Sequence, residues 1–149
     1  MGAIDVTATT TIEAPRDQVA LYVVDNRNDP AWIGGISQSE LLGDPPIGVG
    51  SHVRRVASFM GRRIEYVNEV TRLEPGSVLE MRSVKSPFPM HITYAFQGAA
   101  GGTQTSVRVQ GGTSTFYRLA GPLLSRQVKK NVQADLERLK NIVEDRRAR

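Results

Sequence analysis

The C-terminal stretch restricts the fold of this chain more than any other segment. After Gly121-Pro122, apolar residues fall at Leu124, Val128, Val132, Leu136, Leu139 and Val143, in steps of four, four, four, three and four. That spacing places them on one face of an α-helix. The opposite face holds Lys130, Gln133, Glu137, Lys140 and Glu144. Pro122 suits the first helical position, where its missing N–H would be unpaired in any case. A helix from residue 122 to about 146, rising about 1.5 Å per residue, is roughly 37 Å long. A single apolar stripe of that length must lie along a comparably long surface.

A β-sheet is the only candidate. Ile4, Val6, Ala8, Thr10 and Ile12 alternate with Asp5, Thr7, Thr9 and Thr11, a period-two pattern rich in β-branched residues. Ala14-Pro15 ends that strand, because proline gives no N–H to a ladder but suits the first turn of a helix. Val19, Tyr22 and Val23 follow at helical spacing, and the turn formers of DNRNDP stop the helix. A second short element, PAWIGGI, carries the single tryptophan, Trp32. From residue 38 to 115 the chain reads as a meander of six strands: SQSELLG, SHVRRVASFM, RRIEYVNEVTRL, VLEMRSV, MHITYAFQ and TQTSVRVQG. DPPIGVG, Gly61, EPGS, SPFP and GAAGG supply the turns between them. Connections this short permit antiparallel pairing only.

The 149 residues fit one domain spanning 1–149, long enough to bury a real core. Cysteine is absent, which excludes disulfides, thiolate nucleophiles and cysteine-ligated metals. The N-terminus lacks the basic-then-apolar pattern of a secretory signal. No apolar run approaches the roughly 18–20 residues of a membrane span. Gly2 follows Met1, but Val6 stands where a myristoylation motif needs Ser or Thr. A soluble, cytoplasmic protein is the expectation. The formal charge is +4 and the pI about 9.8. Yet Arg54, Arg55, Arg62, Arg63, Lys129, Lys130, Arg146, Arg147 and Arg149 are scattered rather than interleaved with aromatics on one face, so no specific nucleic-acid partner is expected.

Catalytic and metal templates find no match. His52 and His91 are the only histidines and lack ligand spacing; both read as strand residues on a solvated face. No GxSxG elbow is present. GVGSHV begins like a dinucleotide-binding turn, but Val53 occupies the third glycine position and no βαβ unit surrounds it. Neither a metal nor a cofactor is expected.

Strand alternation assigns faces. In RRIEYVNEV, Ile64, Tyr66, Asn68 and Val70 face inward, because Arg63, Glu65 and Glu69 on the other side would be costly in a dry interior. By the same test Leu79, Met81 and Ser83 face in, as do Met90, Ile92, Tyr94 and Phe96, and Thr105, Val107 and Val109. The strand SHVRRVASFM admits two readings. Either Val53, Arg55, Ala57 and Phe59 point inward, or Arg54, Val56, Ser58 and Met60 do, and each reading buries an arginine.

Strand, two short helices, six antiparallel strands and a long C-terminal helix is the order of the START-like superfamily, the birch-pollen-allergen fold. The chain resembles its polyketide cyclase/dehydrase and lipid-transport family. TIEAPRDQVALYVVD, Trp32 after the first helix, EYVNEVTRLEPGSVLEMRS, ITYAFQGAAGGTQTSVRVQG and the closing amphipathic helix carry the resemblance, which covers essentially the whole chain. It implies an α+β helix-grip fold: a curved seven-stranded antiparallel sheet around the terminal helix, with the two short helices after strand one plugging the gap and an apolar cavity between sheet and helix. The implied partner is a hydrophobic small molecule, such as a lipid, an isoprenoid or an aromatic polyketide. The expected ligand-binding residues are Trp32, Arg55, Phe59, Tyr66, Asn68, Leu79, Met81, Ile92, Tyr94, Phe96, Val107, Leu124, Val128 and Val132. Tyr66, Asn68 and Tyr94 would orient the ligand, and the short helices with Trp32 would gate access. Two other readings stay open: a cyclase or aromatase in which Tyr66, Tyr94 or Arg55 polarises a carbonyl, and an interaction module using the basic surface. A homodimer is also left open.

Overall fold

The structure, a computed structural model, describes residues 4–59, 61–86, 89–111 and 115–148, with the side chains of 59, 115–122 and 148 outside that description. Strand β1 (Ile4–Ile12) leads to helix α1 (Arg16–Val24), a 3-10 turn (Asn26–Asn28) and the one-turn helix α2 (Asp29–Trp32). Six strands follow: β2 (Ile36–Leu42), β3 (His52–Phe59), β4 (Arg62–Glu74), β5 (Val78–Lys85), β6 (Met90–Ala99) and β7 (Gly102–Gly111). Helix α3 (Thr115–Ala148) closes the chain. The strands form one antiparallel sheet in the order β1-β7-β6-β5-β4-β3-β2. The first strand is thus an edge beside the last, and the two short helices bridge from one edge of the sheet to the other. This is the expected helix grip.

Two local expectations are corrected. Pro15 is not inside the first turn of α1 but one place before it, in extended conformation (ψ 146°), where its carbonyl accepts from the N–H groups of Gln18 and Val19. Its fixed φ suits the extended-to-helical bend, and α1 then starts without a side-chain cap. Helix α3 begins at Thr115, so Pro122 lies within it rather than at its start. An interior proline costs a hydrogen bond and a ring clash and Gly121 adds a weak helix former, but TFYRLA before them is compatible with a helix and extends it past both.

Alternation along β4, β5, β6 and β7 places the inward residues where period two puts them, with Tyr66, Asn68, Val70, Leu79, Met81, Ile92, Tyr94, Phe96, Val107 and Val109 all buried. Register irregularities between Val67 and Asn68 and between Val70 and Arg72 interrupt the long β4. Such bulges bend a strand, as a sheet wrapping a helix requires. Of the two readings of β3, Val53, Arg55 and Ala57 face in, while Arg54 lies outside with Glu65 and Glu40. The Phe59 and Met60 side chains lie outside the described residues.

Helix α3 is fastened to the free edge of β1. The carbonyls of Thr9, Thr11 and Glu13 accept hydrogen bonds from Gln133 (3.4 Å), Lys140 (3.0 Å) and Arg147 (2.8 Å), donors seven residues apart on α3. The N–H of Glu13 donates to Glu144 (2.8 Å). An edge strand otherwise presents unpaired backbone groups to other chains. Along the apolar stripe, Leu136, Leu139 and Val143 are buried in the core beside α1, which lies against β6, β7 and α3.

The β6–β7 turn provides a test of this edge. Gly101 and Gly102 both hold positive φ, 83° and 155°. A Cβ at Gly101 meets open space, whereas one at Gly102 overlaps the Ile12 carbonyl. Gly101→Ala is expected to cost about 1 kcal/mol, and Gly102→Ala about 3 kcal/mol or more; urea denaturation of the two variants measures the difference.

Candidate functional site

The N-terminal half of the α3 stripe does not pack solidly. Leu124, Val128 and Val132 line a cavity of about 150 Å³, together with Trp32, Arg55, Tyr66, Ile92, Tyr94 and Val107. Those nine expected residues come together around one space. Asn68, Leu79, Met81 and Phe96 face inward too, but they belong to the solid end of the interior rather than to the cavity wall. Helix α1, packed against β6, β7 and α3, closes that end of the interior. Phe59 lies outside the described residues.

Other lining residues were not expected. Ile4, Ile36, Ala57, Ile64, Met90 and Val109 are apolar and complete the wall; Ile33, Gly34, Asn131 and Asp135 border it from the α2–β2 connection and from α3. Ile64, Met90 and Val109 were assigned inward by period two, so the signal for them was already in the alternation. Asp135 lies one helical step beyond Val132, off the apolar stripe, and gave no sign of burial in the sequence.

A buried ionic cluster braces one wall. Arg55 is 3% exposed and Asp29 1%. The guanidinium donates from Nε to Asp29 Oδ2 at 3.0 Å, its second nitrogen lies 3.0 Å from the same oxygen, and its third donates to the Tyr94 hydroxyl at 3.5 Å. Ser39 also donates to Asp29 (2.7 Å), and Asn26 donates to Ser39 (3.4 Å). Burial pushes the Asp29 carboxyl above the usual carboxylate range, against the opposing pull of Arg55 and Ser39. Burial works against the Arg55 charge, yet Tyr94 and Asp29 hold its pKa well above the ordinary value. Burial likewise raises the Tyr94 phenol, so Tyr94 stays protonated at neutral pH. Asp29 was read in the sequence as a turn former. The usable signal was the inward arginine itself, since a buried guanidinium needs a carboxylate.

Trp32 packs edge-on to Tyr94, with ring centroids 6.0 Å apart at 69°. Its carbonyl accepts from Arg138 Nε (3.1 Å). Asp135 accepts from the Gly34 N–H (2.8 Å) and from Arg138. The α2–β2 connection is thereby pinned to α3. Burial raises the Asp135 carboxyl, partly offset by the Gly34 N–H and Arg138. His52 and His91 face Glu69 (3.5 Å) and Glu80 (2.9 Å) on partly exposed surface, and neither lines the cavity. Among the described residues, no three His, Asp or Glu side chains gather as a metal site, and no helix is long and apolar enough to cross a membrane.

A curved antiparallel sheet gripping a long helix over a partly hollow interior defines a START-like protein. Solved structures agree on the fold. The Zhui aromatase/cyclase from Streptomyces sp. R1128 superposes with a TM-score of 0.81 at 20% identity, over 99% of this chain and 96% of that one. A START superfamily protein from Mycobacterium smegmatis gives 0.81 at 15% identity, over 95% and 97%. TTHA0849 from Thermus thermophilus gives 0.79 at 20% identity, over 93% and 96%. No curated protein sequence matches the chain. Residues 3–144 match the family described as polyketide cyclase/dehydrase and lipid transport, and the chain belongs to that family.

The Arg55–Asp29 pair can be tested through pH. A carboxyl whose pKa is raised on folding favours the folded state below its unfolded value of about 3.9, and that contribution is lost as pH rises through the folded value. Removing Arg55 raises the folded value further. Arg55→Met is therefore expected to cost about 3–5 kcal/mol at pH 7.5, with the deficit shrinking toward pH 4. Asp29→Asn leaves a guanidinium that cannot neutralise, so its deficit does not shrink. Urea titrations at the two pH values separate these outcomes.

Proposed function

We propose that the protein binds a small hydrophobic molecule in the cavity between β3–β7 and α3, for transport, sequestration or sensing. The observation that carries this reading is the apolar wall left unfilled by the protein's own side chains, in a chain whose family is described by polyketide cyclisation and lipid transport. The nine expected residues on the wall would form the contact surface: Ile92, Val107, Leu124, Val128 and Val132 through shape, and Trp32, Arg55, Tyr66 and Tyr94 through their polar atoms. A cavity of about 150 Å³ is below the roughly 300–1,000 Å³ of drug-sized pockets and matches an engineered cavity that takes benzene. One or two rings fit; a longer isoprenoid or acyl chain would have to extend through the open side.

A ligand present at about 100 times its Kd stabilises by about 2.7 kcal/mol, which raises Tm by roughly 5–10 °C in a domain of this size. Thermal denaturation against a panel of aromatic ketones, isoprenoid alcohols and fatty acids is expected to show such a rise for at least one class. Val128→Phe, which fills the cavity from α3, is expected to weaken that ligand more than tenfold while the fold persists. A panel without any thermal shift would remove the proposal.

A cyclase reading draws on a specific contact as well, the Arg55–Tyr94 pair at the wall, where both groups could polarise a carbonyl. The fold shared with the Zhui aromatase/cyclase supports considering it. Product formation from a poly-β-keto substrate, lost in Tyr94→Phe, is the outcome it requires; turnover unchanged in both Tyr66→Phe and Tyr94→Phe would exclude those roles.

A further inference from the structure

Trp32 poses a question that the fold leaves unanswered. Its ring is 2% exposed and lines the cavity, yet its indole N–H has no hydrogen-bond acceptor among the described residues. A buried donor without an acceptor is costly, and native interiors rarely tolerate one. The ring cannot easily turn to find a partner, because Tyr94 packs against it edge-on and α3 holds its backbone through Arg138. The cavity that the ring lines is the space from which an acceptor could come.

The remaining charges narrow the chemistry of that acceptor. Arg55, the cation on the wall, is already neutralised by Asp29, which it contacts through two nitrogens. Asp135, the carboxylate on the wall, is likewise held by Arg138 and the Gly34 N–H, so it adds no cation to the same space. A carboxylate or phosphate would thus enter an apolar cavity with no free cation on its described walls. A neutral oxygen faces no such obstacle, and it can take hydrogen bonds from the indole and from the hydroxyl of Tyr66 or Tyr94.

Resting on the ligand-binding reading above, we infer that the cavity selects a neutral one- or two-ring molecule carrying a carbonyl or comparable acceptor oxygen, which receives a hydrogen bond from the Trp32 indole N–H. Trp32 is then a specificity-determining residue rather than only a packing one.

Isosteric ligands test this directly. 1-Indanone and 1-methyleneindane differ in one atom group, an oxygen against a CH2, and indane-1-carboxylate adds a charge. A carbonyl buried without a donor would favour the hydrocarbon by roughly tenfold or more. The full chain is titrated with each compound, with Kd values from calorimetry. Because the chain has one tryptophan, 15N-labelled protein shows a single indole N–H resonance. The expected result is that 1-indanone binds at least as tightly as 1-methyleneindane and moves the indole proton downfield, while the carboxylate binds at least tenfold more weakly than the ketone. In Trp32→Phe the ketone-to-hydrocarbon affinity ratio is expected to fall about tenfold.

A hydrocarbon bound tenfold tighter than the ketone, with the indole proton unmoved, would overturn the inference and leave ligand binding intact. So would an unchanged ratio in Trp32→Phe, or a carboxylate bound more tightly than the ketone. If neither neutral compound binds, and the wider panel gives no thermal shift, it is the ligand-binding reading itself that fails. The wild-type resonance needs no variant, so the inference stays testable even if Trp32→Phe does not fold.

Discussion

The attachment of α3 to the edge of β1 governs the interior of this protein. Gln133, Lys140 and Arg147 reach the outward carbonyls of Thr9, Thr11 and Glu13, and Glu144 takes the Glu13 N–H. These bonds hold the C-terminal part of the helix against one side of the grip, where Leu136, Leu139 and Val143 are buried. The sheet meanwhile curves away toward β2. The other half of the same stripe, at Leu124, Val128 and Val132, borders the cavity. A packed end and a hollow end thus follow from one long helix tied to the edge of one curved sheet.

The hollow end is stiffened by charge in a way apolar packing alone does not provide. Arg55 on β3 and Asp29 at the start of α2 come from opposite sides of the gap, and their pairing holds α2 to the sheet. Ser39 and Asn26 continue the network toward the surface, and Tyr94 extends it to the cavity wall. Asp135 and Arg138 hold the next few residues to α3. The α2–β2 connection is therefore fixed to both halves of the grip, which positions Trp32 against Tyr94. Buried ion pairs add little net stability on average, but removing either partner is costly. Their value here is positional.

Much of the site was legible in the sequence because a strand has a strict period of two. Once Glu65 and Glu69 had to face water, Tyr66 and Asn68 had to face in, and the same logic placed Ile92, Tyr94 and Val107. Period two says nothing about depth, however. Leu79, Met81 and Phe96 obey the same alternation as Ile92 and Tyr94, yet they lie off the cavity wall that their neighbours line. Asp29 and Asp135 escaped notice for another reason. A lone acid in a turn or on a helix flank is indistinguishable from a solvated one until its distant partner, Arg55 or the Gly34 N–H, is brought beside it.

Local periodicity, turn chemistry and chain order settled the element types, the antiparallel meander, the inward face of four strands and the amphipathic closing helix, since each depends on neighbours within a few residues. Which arginine of Arg54 and Arg55 is buried, which part of the inner face is hollow, and where Trp32 sits relative to Tyr94 were decided only by the tertiary structure. Those features depend on contacts between residues 26 to more than 100 positions apart, and no local pattern encodes the distance between a helix and a sheet.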